Sequence, residues 1–229
     1  MVTFNVLDRI FFVHGLKYGT AFTIDVDSKQ YLVSARHVTG DWDSATISSL
    51  KLFHDGKWKD IPVTFVGAAK GEIDISVFAP SVRLSPSHPL DPTFAGLILG
   101  QDVYFAGYPY KMWSDGGDLM YGRPLPFLKK GTFSAGLEPN SDVKTLYVDA
   151  INNEGFSGGP VVFASQKGND FKVIGVVSKF KTEYEPVIDH EDKETGLRVA
   201  YNTGFMVAYG INHVLDLIRA NPVGLVIDA

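Results

Sequence analysis

Short apolar runs recur along the chain at roughly ten-residue spacing, separated by Gly, Asp, Asn or Pro. This is the pattern of short strands joined by turns, as in an all-β barrel or sandwich. The first set is FFVHG from Phe11, GTAFTIDV from Gly19, QYLVSA from Gln30, then LKLFHD, WKDIPVTFVGA and DISVFAP before residue 80. DVYFAGY, FLKKGTFSAGLE, TLYVDA, PVVFA, FKVIGVVSKF and RVAYNTGFMVA form the second set, so six candidate strands lie on each side of residue 90. Between them, residues 81–94 (SVRLSPSHPLDPTF) contain three prolines and read as a linker. One good helix is predicted, over about 209–220. In YGINHVLDLIRANP, Ile211, Val214, Leu215 and Ile218 fall at i, i+3, i+4 and i+7, and Pro222 lies beyond the stop. Its apolar stripe predicts packing against the strands. The expected division is residues 1–92 and 93–229.

Composition acts mainly by exclusion. The net charge of −5 (21 Lys and Arg against 26 Asp and Glu) and the lack of a basic run interleaved with aromatics argue against nucleic acid. Zero cysteines exclude a disulfide framework, a thiol nucleophile and Cys-ligated zinc. Hydrophobic content of 45% and a mean hydropathy of +0.04 are ordinary for a soluble domain. No run of 18 apolar residues exists, so no membrane span is expected. The opening MVTFNVLDRIFFVHG has no basic n-region, so no secretory leader is read and a cytoplasmic protein is the expectation.

Three short segments carry the candidate chemistry. Asn153-Glu154-Gly155-Phe156-Ser157-Gly158-Gly159-Pro160 precedes the apolar strand Val161-Val162-Phe163. A serine that attacks a carbonyl needs a base, an orienter for that base, and donors for the oxyanion. A glycine two residues before the serine lets the backbone turn so that the Gly155 and Ser157 N–H groups aim at one spot. In YLVSARHV a strand ends in a small residue and then His37, an imidazole that could lean over a cleft as general base. In EIDISVF, Asp74 stands at the mouth of an apolar strand, where it could accept the His37 Nδ1 proton. Taken singly, these read as a turn serine, a core or turn histidine and a solvated aspartate. Together, in the order His, Asp, Ser with separations of 37 and 83 residues, they point to a nucleophilic triad.

On these segments the chain resembles the trypsin-like serine peptidases, most of all the bacterial Deg/HtrA branch. The likeness runs from GTAFTID through YLVSARHV, DISV, VYFAGYP, EGFSGGPVV and VIGVVS to NTGFMVA and the closing helix. The resemblance implies two six-stranded antiparallel β-barrels forming one peptidase domain, with His37 and Asp74 from the first barrel and Ser157 from the second meeting in a cleft. It implies endopeptidase action through an acyl-enzyme, with Gly155 and Ser157 as the oxyanion hole. Ser178 aligns with a strand serine that bonds the triad aspartate. Ile151 falls at the floor of the substrate pocket, Gly204 and Met206 at its back wall, and Phe180 on the strand beside it. With no acid at Ile151 and Val177 where glutamate-cleaving relatives carry a histidine, cleavage after apolar or small P1 residues is expected. Phe156 stands where animal trypsins keep the aspartate that receives a new N-terminus, so that activation is closed to this chain. The PDZ domain common in that branch is not expected in this chain.

Residues 108–126 and 181–197 are longer than a minimal domain needs, and in the resembled family such loops order or disorder the site. The expected partners are a protein or peptide substrate and an activating partner or ligand that orders these loops. The run Asp189-His190-Glu191-Asp192 lacks a recognised ligand spacing, so no metal and no cofactor are expected. Two other readings remain open. GFSGG satisfies the GxSxG elbow of esterases, but Gly-Gly-Pro-Val-Val-Phe is poor helix sequence and no βα alternation precedes it. A catalytically silent binding module of the same fold would have no need of all three triad residues with their glycines.

Overall fold

The structure is a computed structural model that describes residues 2–42, 47–86, 88, 90–136, 140–165 and 170–227. The first six strands are β1 (Ile10–His14), β2 (Tyr18–Val26), β3 (Lys29–Ser34), β4 (Ile47–His54), β5 (Lys57–Ala68) and β6 (Ser76–Pro80). They pair antiparallel in the order β3-β2-β1-β4-β5-β6, and β6 returns to β3 through Leu32 opposite Phe78, so the ring closes. Alternate side chains from all six strands, among them Val13, Ala21, Leu32, Leu50, Val63 and Phe78, fill its interior. Closure pairs the ring's two end strands with each other.

The second ring follows β7 (Asp91–Pro92) and uses β8 (Asp102–Gly107), β11 (Phe127–Gly136), β12 (Thr145–Asp149), β13 (Pro160–Ala164), β14 (Phe171–Ile188) and β15 (Glu194–Gly210). Its order is β13-β8-β11-β12-β15-β14, closed by pairing of β13 with β14. Phe105, Phe133, Val148, Phe163, Ile174 and Met206 represent the six strands in its interior. The twelve ring strands are the twelve apolar runs read from the sequence. Between β8 and β11, residues 108–126 hold two 3-10 turns and the small ribbon of β9 (Ser114–Asp115) and β10 (Pro124–Leu125).

A third apolar cluster joins the rings. Phe12, Phe22 and Val33 of the first meet Ala106, Val162 and Tyr209 of the second, and Ile211, Val214 and Ile218 of the closing helix. That helix, Ile211–Ala220, follows the last strand of the second ring and packs on both rings: the Lys144 N–H donates to His213 Nε2 at 3.0 Å, and Asn221 Nδ2 donates to the Val66 carbonyl at 3.0 Å. Two single turns are also helical, α1 (Phe4–Leu7) and α2 (Arg36–Thr39), which makes the closing helix α3. Chain ends cross between rings. Asp91–Pro92, on the first side of the expected boundary, pairs with Lys172 and Val173 of β14, and β16 (Leu225–Val226) pairs with β3. No helix among the described residues is long and apolar enough to cross a membrane.

Residues 181–197 differ from the loop expected of them. They are the outer part of a two-stranded ribbon in which β14 and β15 continue past the ring, Glu183 opposite Tyr201 and Glu185 opposite Val199. Thr182, Tyr184 and Ile188 favour extended backbone, and the interleaved charges suit a ribbon solvated on both faces. At its tip, Asp189 Oδ1 accepts the N–H groups of Glu191 and Lys193 and closes the turn. Among the described residues no group of three potential metal ligands converges.

Candidate active site

His37 lies in α2, the single turn that follows β3, where Ala35 is extended and the chain then turns helical. A helix start leaves N–H groups unpaired, and here a carboxylate takes one of them. Asp74 Oδ1 accepts the His37 backbone N–H at 2.9 Å, while Asp74 Oδ2 accepts the His37 Nδ1–H at 2.5 Å. One carboxylate thus fixes both the turn and the ring it carries. Arg36 steadies the other side, donating to the carbonyls of Ala69 and Gly71 at 2.9 Å each in the turn that leads to Asp74. Ser178 Oγ donates to Asp74 Oδ2 at 2.7 Å. Burial would raise the Asp74 pKa, but the bonds from His37 and Ser178 and the charge of the imidazole outweigh it and hold it at about 2. Asp74 is therefore an anion across the neutral range.

Ser157 reaches the same cleft from the second ring on a loop anchored at both flanks. Phe156 is fully buried in the second ring's interior, edge-on to Phe105 with ring centroids 5.0 Å apart. Gly158 (φ +85°) presses on the first ring: a Cβ there would lie 2.1 Å from the Thr20 carbonyl and 2.4 Å from Ser34 Oγ. Only glycine fits that approach. Thr20 ties the seam. Its N–H donates to the Ser157 carbonyl at 2.9 Å, and its Oγ1 donates to the Gly155 carbonyl at 2.7 Å.

The peptide planes of this loop leave two donors unpaired. The Glu154 carbonyl accepts the Tyr110 N–H at 2.8 Å, and the Phe156 carbonyl accepts the Gly159 N–H at 2.9 Å. In a trans peptide the C=O and the following N–H point in opposite directions, so the Gly155 and Ser157 N–H groups face away from these partners. Among the described residues neither N–H has a hydrogen-bond acceptor. Gly155 adopts φ +101°, and a Cβ would meet the Tyr108 carbonyl at 2.1 Å. Two free donors beside a hydroxyl are suited to an oxyanion.

The hydroxyl itself is turned aside. Among the described residues Ser157 Oγ donates to the Ser178 carbonyl at 2.8 Å and makes no hydrogen bond with His37. Both groups line the same cleft of about 840 Å³, with Asp74, Asn152, Ser178 and Phe180. Of the pocket residues expected from the sequence, Ser178 and Phe180 line this cleft. Ile151 is 60% exposed outside it, and Lys129 Nζ donates to its carbonyl at 2.6 Å and to Asn153 Oδ1 at 2.7 Å. Gly204 (φ +83°) takes its N–H to Asn202 Oδ1 at 3.0 Å, in the bend before the ring, and Met206 is buried inside the second ring rather than facing the cleft.

Three residues that shape the site escape sequence reading: Thr20, Arg36 and Tyr110 act through backbone groups that no local motif reveals. For Thr20→Val, which keeps the shape and removes the bond to Gly155, kcat is expected to fall by about ten-fold with KM little changed. A steady-state assay with a fluorogenic peptide checks this, and a change confined to KM would contradict it.

Comparison with known proteins agrees with this geometry. The family model described as the trypsin-like peptidase domain matches residues 19–176. A search of curated proteins finds no match. Among solved structures, the inactive form of the Rv3671c protease of M. tuberculosis is similar over 94% of this chain and 90% of its own, at 18% identity and TM-score 0.55. The HtrA-type protease AlgW, solved with a tripeptide, is similar over 94% of this chain at 19% identity and TM-score 0.56, and the chain spans 60% of its length. At such identities these likenesses concern the fold, a two-barrel one of the chymotrypsin kind. With residues 19–176, more than half of its length, matched to the family and a His-Asp pair and a serine in one cleft, the chain belongs to the trypsin-like peptidase domain family.

Proposed function

We propose that this protein is a serine endopeptidase in which Ser157 is the nucleophile, His37 the general base and Asp74 the orienting anion. The observation that carries the reading is the meeting, at one cleft, of the Asp74–His37 pair and Ser157, beside Gly155 and Ser157 N–H groups that have no acceptor among the described residues. Rotation about the Ser157 side chain moves Oγ from the Ser178 carbonyl to His37 Nε2. Oγ then attacks the scissile carbonyl while His37 takes the proton, and Asp74 stabilises the imidazolium. The oxyanion forms against the two N–H groups, and collapse expels the amine, which receives the proton from His37. Water, deprotonated by His37, hydrolyses the acyl-enzyme. Labelling by a fluorophosphonate tests the reading: wild-type protein is expected to label at Ser157, and Ser157→Ala not at all. A wild-type protein that fails to label would favour a silent binding module, a reading that the bond between Ser157 Oγ and the Ser178 carbonyl keeps in view.

Apolar or small residues are the expected P1. The expectation comes from the resemblance, which puts no carboxylate at Ile151, a residue that lies outside the cleft in the structure. Phe180 supplies an apolar face on the cleft wall. A peptide-library profile with Ser157→Ala as blank is the check, and predominance of Lys or Arg at P1 would refute it.

A further inference from the structure

The catalytic cleft continues past Ser157, away from Ser178 and Phe180, into a second hollow of about 650 Å³ that shares His37, Glu154 and Ser157 with it. The far wall of this hollow is aromatic and is built on the first ring. His14 and Tyr18, opposite each other at the end of the β1–β2 pair, stack with ring centroids 4.0 Å apart and planes 9° apart. Trp58 packs against both rings, at 5.6 Å from His14 and 5.5 Å from Tyr18. Tyr108 and Tyr110 line the hollow from the second ring's side.

Two lysines stand at this wall on fixed backbone. Lys111 Nζ lies 4.1 Å from the centroid of the Tyr18 ring, a cation–π contact that places the ammonium and leaves its N–H groups without an acceptor. Lys17 lies in the turn between β1 and β2, where its N–H donates to the Val38 carbonyl at 3.0 Å and its carbonyl accepts the Gly15 N–H at 3.1 Å. Among the described residues neither ammonium has a hydrogen-bond or ion-pair partner. Glu154 is the one carboxylate among the described lining residues, and it pairs with neither lysine. In the other half of the cleft Arg36 and Lys179 are matched by Asp41 and Glu72, while Asp74 is taken up by His37. Of the two halves only this hollow carries an excess of positive charge, on a chain whose net charge is −5.

We infer that this hollow receives the residues that follow the scissile bond, and that Lys17 and Lys111 select substrates with acidic side chains there. The inference rests on the peptidase reading: with P1 against Phe180, the departing half of the substrate lies past Ser157 on the opposite side. An acidic side chain gains two ammonium groups beside an aromatic wall, whereas a lysine meets like charge. Both ammonium groups are exposed, so the selection is modest and is screened by salt.

The test uses three quenched fluorogenic peptides with amidated C-termini, so that side chains alone carry carboxylates. Their common half, up to the scissile bond, is the best sequence of the library profile, and Glu, Gln or Lys fills the two positions after it. The expected order of kcat/KM is Glu, Gln, Lys, with about ten-fold between Glu and Lys at low ionic strength and about three-fold or less in ~0.5 M salt. The double variant Lys17→Glu, Lys111→Glu changes two exposed side chains and is expected to reverse the order without lowering the melting temperature. A reversed order is not something a merely damaged site produces. Equal kcat/KM for the three peptides, or an order that the double variant leaves in place, overturns the subsite while the peptidase reading stands. A library from which nothing is cut overturns the peptidase reading, and the subsite falls with it.

Discussion

Replacing Ser157 or His37 with alanine is expected to lower kcat for peptide hydrolysis by about 10⁵- to 10⁶-fold with the fold intact. The loop that carries Ser157 is held by groups the substitution leaves alone. Phe156 stays buried, Gly158 stays against Thr20 and Ser34, and the Ser157 carbonyl keeps the Thr20 N–H. The deleted hydroxyl donates one bond, to a carbonyl at the cleft, so its loss costs little stability. His37 is an exposed side chain, and Asp74 keeps the backbone N–H of residue 37 in the alanine variant. Initial rates on a fluorogenic peptide and a thermal melt read both halves of the claim. A Ser157→Ala protein cutting at near wild-type rate would sink the endopeptidase reading.

The second large effect is expected from Asp74→Asn, about 10⁴-fold in kcat. The Oδ1 position accepts the His37 backbone N–H, so the new amide nitrogen falls at the Oδ2 position, facing His37 Nδ1 and Ser178 Oγ. There it donates where both neighbours donated before. His37 must then carry its proton on Nε2, the atom that has to accept one from Ser157, and the Ser178 hydroxyl must turn away. The variant also bears on acid stability. Because the folded Asp74 pKa is depressed from 3.8 to about 2, its contribution is fully present above 3.8 and is lost as pH falls toward 2. Unfolding midpoints measured across that window should fall less steeply with acid for Asp74→Asn than for the wild type. An activity loss below ten-fold would show that Asp74 does not set the tautomer.

The strands were legible because each alternates or buries its apolar residues within a few positions and ends at a turn residue, a property of the local chain. The candidate triad was legible because Gly155, Gly158 and the order of His37, Asp74 and Ser157 are local or ordinal features. The ribbon of β14 and β15 was not: Lys181, Glu183 and Glu185 mimic a solvated loop, and only the facing strand, with Tyr201 and Val199 in register, makes them extended. Two-residue pairings such as β7 and β16 carry no periodicity at all, since their partners lie some eighty or two hundred residues away and only closure of the rings creates them. The fate of Met206 was hidden for a related reason. Gly204 bends the chain just before the ring, and which way the next side chains point depends on register with β12 and β14.

The crossing of chain ends between the rings has a consequence for how the molecule is made. The first ring precedes the second in the chain, yet Tyr31 packs on Gly224 and Lys29 Nζ reaches the Pro222 carbonyl, contacts that exist only once the chain has been made past the closing helix. Val66 likewise waits for Asn221. The second ring in turn takes Asp91–Pro92 from the linker, paired with Lys172 and Val173 some eighty residues later. Such sequence separations imply slow folding, because loop-closure entropy must be overcome before these contacts reward it. They also imply that the nascent first half exposes unsatisfied apolar surface until residues 211–227 arrive. The stretch that follows the second ring is thus the clasp that fixes the two halves of the cleft against each other.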